Sequence, residues 1–462
     1  MGDTIAIYKE NTLMESTIIG KSCNHSPNEV FLTLKVDAKD YSKEETVKTT
    51  TIILPQIPHT YGMIVQKPLW SWGCETGMNE KGLAIGCETV VTKATSHVIN
   101  EGGLIGNDVC RLVLERCESA KTGAEYIIEL FEAYGHCQWV KGSLDRKKLY
   151  DYSYLIADNI DIYVIETAGK HWVRKRIPNE ERIYAITNML TINDDYDSCS
   201  ESIKEKEKDG YKVHWKREYG RYLIASFRGA PVRRYGFIDD VTSDLDGRAM
   251  KISKHAVFGF KRIRHGDGNG VSIDTFKHAL RRHMQQNVDR PSQPCMHFGD
   301  TPRSLCTVAN IIYLPGQDMI ASTMTSTPCR AIFIPMFLQG DCYIKKEGQE
   351  IEAEAEWIKR EIVIRSSYTD RIDKVRYKGG IKEIEFAYDA KLQLMKDNTI
   401  LTMTQINKEF WEYESKYFEQ YLWKSGRTVK QLRPNIGTIF FKRLWVRVNI
   451  KMLERAKELG VI

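Results

Sequence analysis

The sequence predicts an α+β sandwich. Three observations carry that reading. Short β-rich runs fill roughly the first ninety residues, and the first of them, Ile5-Ala6-Ile7-Tyr8, begins almost at the first atom of the chain. One long helical stretch follows at 106–134. Strands then return as a pair at 153–166, with another at 182–188 and a group at 305–338, instead of alternating singly with helices as a doubly wound sheet requires.

The elements follow in order. Ser16-Thr17-Ile18-Ile19 reads as a second strand running into a polar turn, Gly20-Lys21-Ser22-Cys23-Asn24-His25-Ser26. Residues 30–90 read as strands joined by turns, with Asn79-Glu80-Lys81-Gly82 as the tightest. In the helical stretch, Val109, Leu112 and Val113 recur at helical spacing, and Ala124, Ile127, Ile128 and Phe131 repeat the pattern after a break at Lys121-Thr122-Gly123. Pro315-Gly316 turns the last strand group. From about 193 to 292 charge is dense and helices are plausible at 218–228 and 272–285. The chain ends in two helical stretches, 405–424 and 440–459. The expected organisation is a sandwich over 1–350 with a mostly helical insertion at 193–292, then a mainly helical extension over 351–462.

The totals exclude several classes. The 462 residues carry 67 basic and 61 acidic side chains, a net charge of +6 that is too mild to argue for nucleic acid. No apolar run is as long as a membrane span, and Asp3, Lys9 and Glu10 interrupt any export signal, so a cytoplasmic protein without a membrane or nucleic-acid partner is expected. Gly2 lacks the Ser or Thr at position 6 that myristoylation wants. The 11 scattered cysteines read as reduced, mostly buried thiols. Homo-oligomerisation stays open, with Trp411, Tyr413, Phe418 and Tyr421 read as core or a dimer seam.

Five blocks, in order, carry a resemblance: Asp3-Thr4 with Gly20-Lys21; Trp72 to Val90; Ser153 to Trp172; Ile186-Thr187-Asn188; and Cys295-Met296-His297 with Arg303-Ser304. Together they resemble the secernins and, more distantly, the C69 dipeptidases and the choloylglycine-hydrolase group of N-terminal-nucleophile enzymes. The resemblance implies a four-layer αββα sandwich and cysteine-type hydrolysis of small peptides or amides, with no cofactor. In that chemistry the first residue's side chain attacks a carbonyl and its own α-amine is the base.

The family's positions transfer unevenly. Its nucleophile, a cysteine before Asp-Thr, falls on Gly2. Its basic residue falls on Lys21, and its α-amine-holding acid on Asn24. Its oxyanion asparagines fall on Cys87 and Asn188. Lys21 and Asn188 fit, and the other three depart. The expectation is that Gly2 lies within side-chain reach of Lys21 and Asn188. Two alternatives follow: an inactive or repurposed binding protein, and an acyltransferase using the same pocket. Trp72, Arg233 and Arg234 are read as substrate-binding, the arginines selecting a carboxylate-bearing ligand.

The remaining motifs take bland readings. Cys23 beside Lys21 could be a relocated nucleophile, with the lysine lowering its pKa, but a turn cysteine is favoured. Cys295 and His297 alone lack the second pair a zinc site needs, so no metal is expected. Asp267-Gly268-Asn269-Gly270 is taken as a turn. Lys212, Lys216, Arg217, Arg221, Arg228, Arg233 and Arg234, interleaved with Trp215, Tyr219, Tyr222 and Tyr235, could make an anion- or RNA-binding surface, but a solvated helix face over a packed aromatic side is favoured.

Overall fold

The computed structural model describes residues 2–95, 102–137, 150–207, 210–221, 229–245, 270–283, 294–297, 305–393, 399–435 and 439–462. Its strands are β1 (Gly2–Ile7), β2 (Ile18–His25), β3 (Phe31–Val36), β4 (Lys39–Asp40), β5 (Thr46–Lys48), β6 (Ile53–Pro55), β7 (His59–Thr60), β8 (Met63–Pro68), β9 (Thr76–Asn79) and β10 (Ala84–Val90). After two helices come β11 (Asp151–Ala157), β12 (Ile162–Ala168), β13 (His171–Arg176), β14 (Ile183–Thr187), β15 (Ser198–Cys199), β16 (Cys306–Leu314), β17 (Met319–Ser322) and β18 (Ile334–Phe337). The helices are α1 (Gly106–Arg116), α2 (Ala120–Tyr134), α3 (Glu201–Lys204), α4 (Trp215–Tyr219), α5 (Ala230–Leu245), α6 (Ile273–Leu280), α7 (Glu350–Ser366), α8 (Lys374–Gln393), α9 (Ile400–Leu422) and α10 (Ile439–Glu458).

Two antiparallel sheets lie face to face. One has the order β14-β1-β2-β16-β17-β18, the other β15-β13-β12-β11-β10-β9-β8-β3. Helices α1 and α2 cover the outer face of the larger sheet, and α5 and α6 cover that of the smaller. This is a four-layer αββα sandwich. Among the described residues, no helix is long and apolar enough to cross a membrane.

β1 is central and buried on both faces, so its apolar residues run on without alternating. Its side chains still alternate in direction. Thr4 meets Glu88 of the facing sheet, whereas Asp3 meets Arg233 of α5 on the outer face. One strand thus feeds two polar clusters, one on each face.

Three expectations need correction. The polar stretch 20–25 is not a turn but the second half of β2, paired along its length with β1 and β16. The break between α1 and α2 falls at Cys117–Ser119, where Ser119 and Thr122 form a capping box. Among the described residues, the region after 350 holds four long helices rather than two. Asp267, Gly268, Asn269, Tyr222, Arg228, Arg303 and Ser304 lie outside the described residues.

Candidate active site

Lys21 is the centre of the inter-sheet cluster. Its ammonium is fully buried and donates to Glu88 Oε1 at 2.6 Å, Glu75 Oε1 at 3.0 Å and the Cys87 carbonyl at 3.1 Å. Glu88 Oε1 also accepts from Thr4 Oγ1 at 3.0 Å, and Glu75 Oε2 lies 2.6 Å from His25 Nε2. Gly86 makes room for this: a Cβ there would come within 3.0 Å of Lys21 Cδ and 2.8 Å of Thr4 Oγ1. A relay of polar groups therefore runs from Thr4 through Glu88, Lys21 and Glu75 to the partly exposed His25.

The charges in this cluster set one another. Burial works against the Lys21 ammonium, yet Glu88 and then Glu75 hold its pKa well above the ordinary value. Burial alone would raise Glu75, but the Lys21 ammonium and the hydrogen bond to His25 help hold its carboxyl well below the usual range. For Glu88 burial wins: its carboxyl is pushed up to about 7, with Glu75 adding to the rise and Lys21 opposing it. Glu88 Oε2 has no partner among the described residues. Glu88 is thus the group in this cluster poised to exchange a proton near neutrality.

The second cluster lies on the outer face of β1. Arg233 Nε is 2.9 Å from both Asp3 oxygens, and its Nη2 donates to Thr187 Oγ1 at 3.2 Å and Asn188 Oδ1 at 2.9 Å. Thr187 Oγ1 donates to Asp3 Oδ1 at 2.6 Å. Asn188 Nδ2 turns back to the Thr89 carbonyl of β10 at 3.0 Å. Asn188 therefore stitches the Arg233 cluster to the strand that carries Glu88.

The sequence-derived site residues divide accordingly. Gly2 and Lys21 are brought together: a Cβ on Gly2 would stand 3.1 Å from Lys21 Nζ. That same Cβ would stand 1.9 Å from the Ser22 carbonyl oxygen, closer than any side chain tolerates. Asn24 is on the other face of β2, where its Oδ1 accepts from Thr307 Oγ1 at 2.7 Å and from Ser22 Oγ at 3.3 Å. The Cys87 thiol packs under α1 in the cluster with Cys74, Val109 and Cys110, and Glu88, one position on, reaches Lys21 instead. The cause is the period of two along a strand.

Trp72 stacks on Arg111, its ring 4.2 Å from the guanidinium carbon, and donates its backbone N–H to Thr50 Oγ1. Arg234 donates to the Ala185 carbonyl at 2.6 Å and lies over Tyr184. The structure thus does not gather Trp72 and Arg234 around Gly2, and the Arg233 guanidinium is engaged with Asp3. Cys23 is buried, and burial followed by Glu75 pushes its thiol well up, so the neighbouring lysine does not make it a ready nucleophile.

Sequence reasoning missed Glu75, Glu88 and His25. A lysine in a strand that also pairs on both sides needs buried carboxylates facing it, and that requirement is the signal that could have found them. Glu166, in one of the resembling blocks, is a buried anchor. Its carboxylate accepts from Thr191 N and Oγ1, both at 2.7 Å, from Ile192 N at 3.3 Å and from Trp215 Nε1 at 3.1 Å.

Comparison with known proteins adds the following. Residues 4–215 match the family model described as Peptidase family C69. The chain is 24% identical over 237 residues to a dipeptidase of Bifidobacterium longum (strain NCC 2705), a match covering 44% of this chain and 42% of that protein. It is 22% identical over 240 residues to the probable dipeptidase B of Lactococcus lactis subsp. lactis (strain IL1403), covering 46% and 47%. The match thus spans under half the length of these curated relatives. Two solved structures also align. A mutant of conjugated bile acid hydrolase from Clostridium perfringens has TM-score 0.35 and 11% identity, over 70% of this chain and 88% of that one. Penicillin V acylase from Agrobacterium tumefaciens has TM-score 0.38 and 10% identity, over 75% and 88%.

Proposed function

From the match of residues 4–215 to the Peptidase family C69 model, we infer a protein built on a dipeptidase-type amidohydrolase scaffold, with small peptides or related amides as its ligands. In the chain as it stands, the reaction does not run through residue 2. The observation that carries the second statement is at Gly2. It has no side chain to attack with, and the Ser22 carbonyl occupies the place where one would begin.

Hydrolysis and acyl transfer through residue 2 fall together, because both need an acyl-enzyme at that position. Binding without turnover is the reading favoured by this packing. The Lys21 ammonium is held between Glu75 and Glu88, and His25 is the member of the relay nearest solvent. We assign the ligand-facing role to His25, and a positioning role to Lys21, Arg233 and Asn188, whose amide is engaged at both ends. Gly2 marks the lost nucleophile, while Asn24, Cys87, Trp72 and Arg234 act in packing.

The test is calorimetric titration of the full chain with a panel of dipeptides, with product formation followed by mass spectrometry. Saturable binding that weakens in His25→Ala, without product, is expected. Absence of binding across the panel would remove the ligand class.

A further inference from the structure

The fold completes a metal-ligand set that the sequence shows only in part. Cys295 and His297 look like a lone pair in the sequence, and no metal is expected from them. The fold brings His283 and Cys329 to them. One ligand atom from each of the four residues lies within 4.8 Å of all the others. His297 Nε2 is 2.8 Å from His283 Nε2, 3.4 Å from Cys295 Sγ and 3.3 Å from Cys329 Sγ. A tetrahedral zinc centre, with Zn–N of about 2.0–2.1 Å and Zn–S of about 2.3 Å, needs ligand atoms roughly 3.3–3.8 Å apart. The two sulfurs already stand at such distances from His297 Nε2, the two imidazoles must separate from 2.8 Å, and any pair nearer the 4.8 Å limit must close.

We propose that His283, Cys295, His297 and Cys329 form a structural zinc site of the Cys2His2 type. Two thiolates balance the charge of the cation, which suits a place where Cys295 and His297 are fully buried. Sulfur and imidazole donors together select zinc over the oxygen-seeking cations. Four protein ligands leave no open position, so the site clamps the fold and does not catalyse.

The surroundings hold the ligands in place as a metal site requires. The other ring nitrogen of His297, Nδ1, hydrogen-bonds Tyr368 Oη, which fixes the ring with Nε2 towards the other three ligands. Arg281, two residues before His283, donates to the Pro328 and Ala331 carbonyls on either side of Cys329, each at 2.8 Å. Cys295 N donates to the Arg282 carbonyl at 3.3 Å, and Met296 is fixed through both its N–H and its carbonyl to Thr307. The end of α6, the segment at 294–297 and the short helix at Pro328–Arg330 therefore converge on one point.

Position gives the clamp a consequence. His297 bridges Cys306, and Cys306 pairs with His25 at the end of β2. Zinc would fix the strand ends from which His25 emerges.

The experiment is elemental analysis of the full chain, purified under reducing conditions without chelator. About one zinc per chain is expected. Cobalt added to chelator-stripped protein should give the intense visible bands of a tetrahedral site and a thiolate charge-transfer band. Cys295→Ser and Cys329→Ser should each lose the metal, and Tyr368→Phe should bind zinc about 10–100-fold more weakly. If the buried cysteine variants do not fold, His283→Gln, at a half-buried ligand, should still lose zinc. Zinc added to stripped wild-type protein should also shield two thiols from a thiol reagent. Wild-type protein that takes up neither metal, retention of one zinc by the Cys295→Ser/Cys329→Ser pair, or a Cys295–Cys329 disulfide in place of metal would each overturn the proposal.

Discussion

Lys21 Nζ lies 2.6 Å from Oε1 of Glu88, and both side chains are completely buried between the two sheets. With Glu75 they make a closed set of charges in a place where a single unpaired charge could not persist.

Removing the cation should therefore be costly. Lys21→Met leaves two buried carboxylates without their shared partner and should destabilise the chain by about 3–5 kcal/mol. Chemical denaturation measures this. A loss under about 1 kcal/mol would mean that the cluster is wetter and looser than its geometry.

Glu88 should give stability a distinct pH slope. Its folded-state pKa is raised to about 7 from an ordinary value of 4.5, so the folded chain holds this proton more tightly than the unfolded chain does. The contribution is present in full below about pH 4.5 and is lost as pH rises through about 7, at up to roughly 1.4 kcal/mol per pH unit. Glu88→Gln removes the titration. The stability of this variant relative to wild type should accordingly rise between about pH 5 and pH 7. A difference that stays level across that range contradicts the assignment.

At Gly2 the prediction is steric. Gly2→Ala puts a carbon 1.9 Å from the Ser22 carbonyl and forces β1 away from β2. A loss of about 1–3 kcal/mol is expected. Calorimetry showing no change would mean that the strand end has room for a side chain, which is what a nucleophile needs.

Arg233 and Arg234 are neighbours with unequal tasks. Arg233→Ala strands the buried Asp3 carboxylate and should cost about 3–5 kcal/mol, whereas Arg234→Ala loses a half-buried bond to Ala185 and should cost about 1 kcal/mol. Equal and small losses, accompanied by weakened binding of acidic peptides, would instead restore the reading of both as ligand selectors.

The sandwich was legible because the strands are rich in β-branched and aromatic residues and α1 and α2 are amphipathic. The site was legible only in part. Lys21 to His25 looked like a turn because their buried partners, Glu75, Glu88 and Thr307, lie far away in sequence. That Glu88, and not the Cys87 side chain, faces Lys21 was not legible, because which of two adjacent strand residues points inward is invisible until the sheet is closed. Helix α7 was missed because its charged residues are buried in ion pairs, Arg360 with Glu414 and Arg365 with Glu361, which erases the polar stripe a surface helix shows. The four zinc ligands span positions 283 to 329 without the two-pair spacing that marks a finger, so only the fold assembles them.

The most direct measurement is hydrolysis of the dipeptide panel by the unmodified chain, with intact-mass spectrometry to detect any acyl adduct and Cys23→Ala as the companion variant. The account predicts no turnover and no adduct, because residue 2 offers neither a side chain nor space for one. Robust hydrolysis with an acyl group on the N-terminal peptide would contradict it, and hydrolysis abolished by Cys23→Ala would move the nucleophile to a thiol that the structure holds buried and protonated.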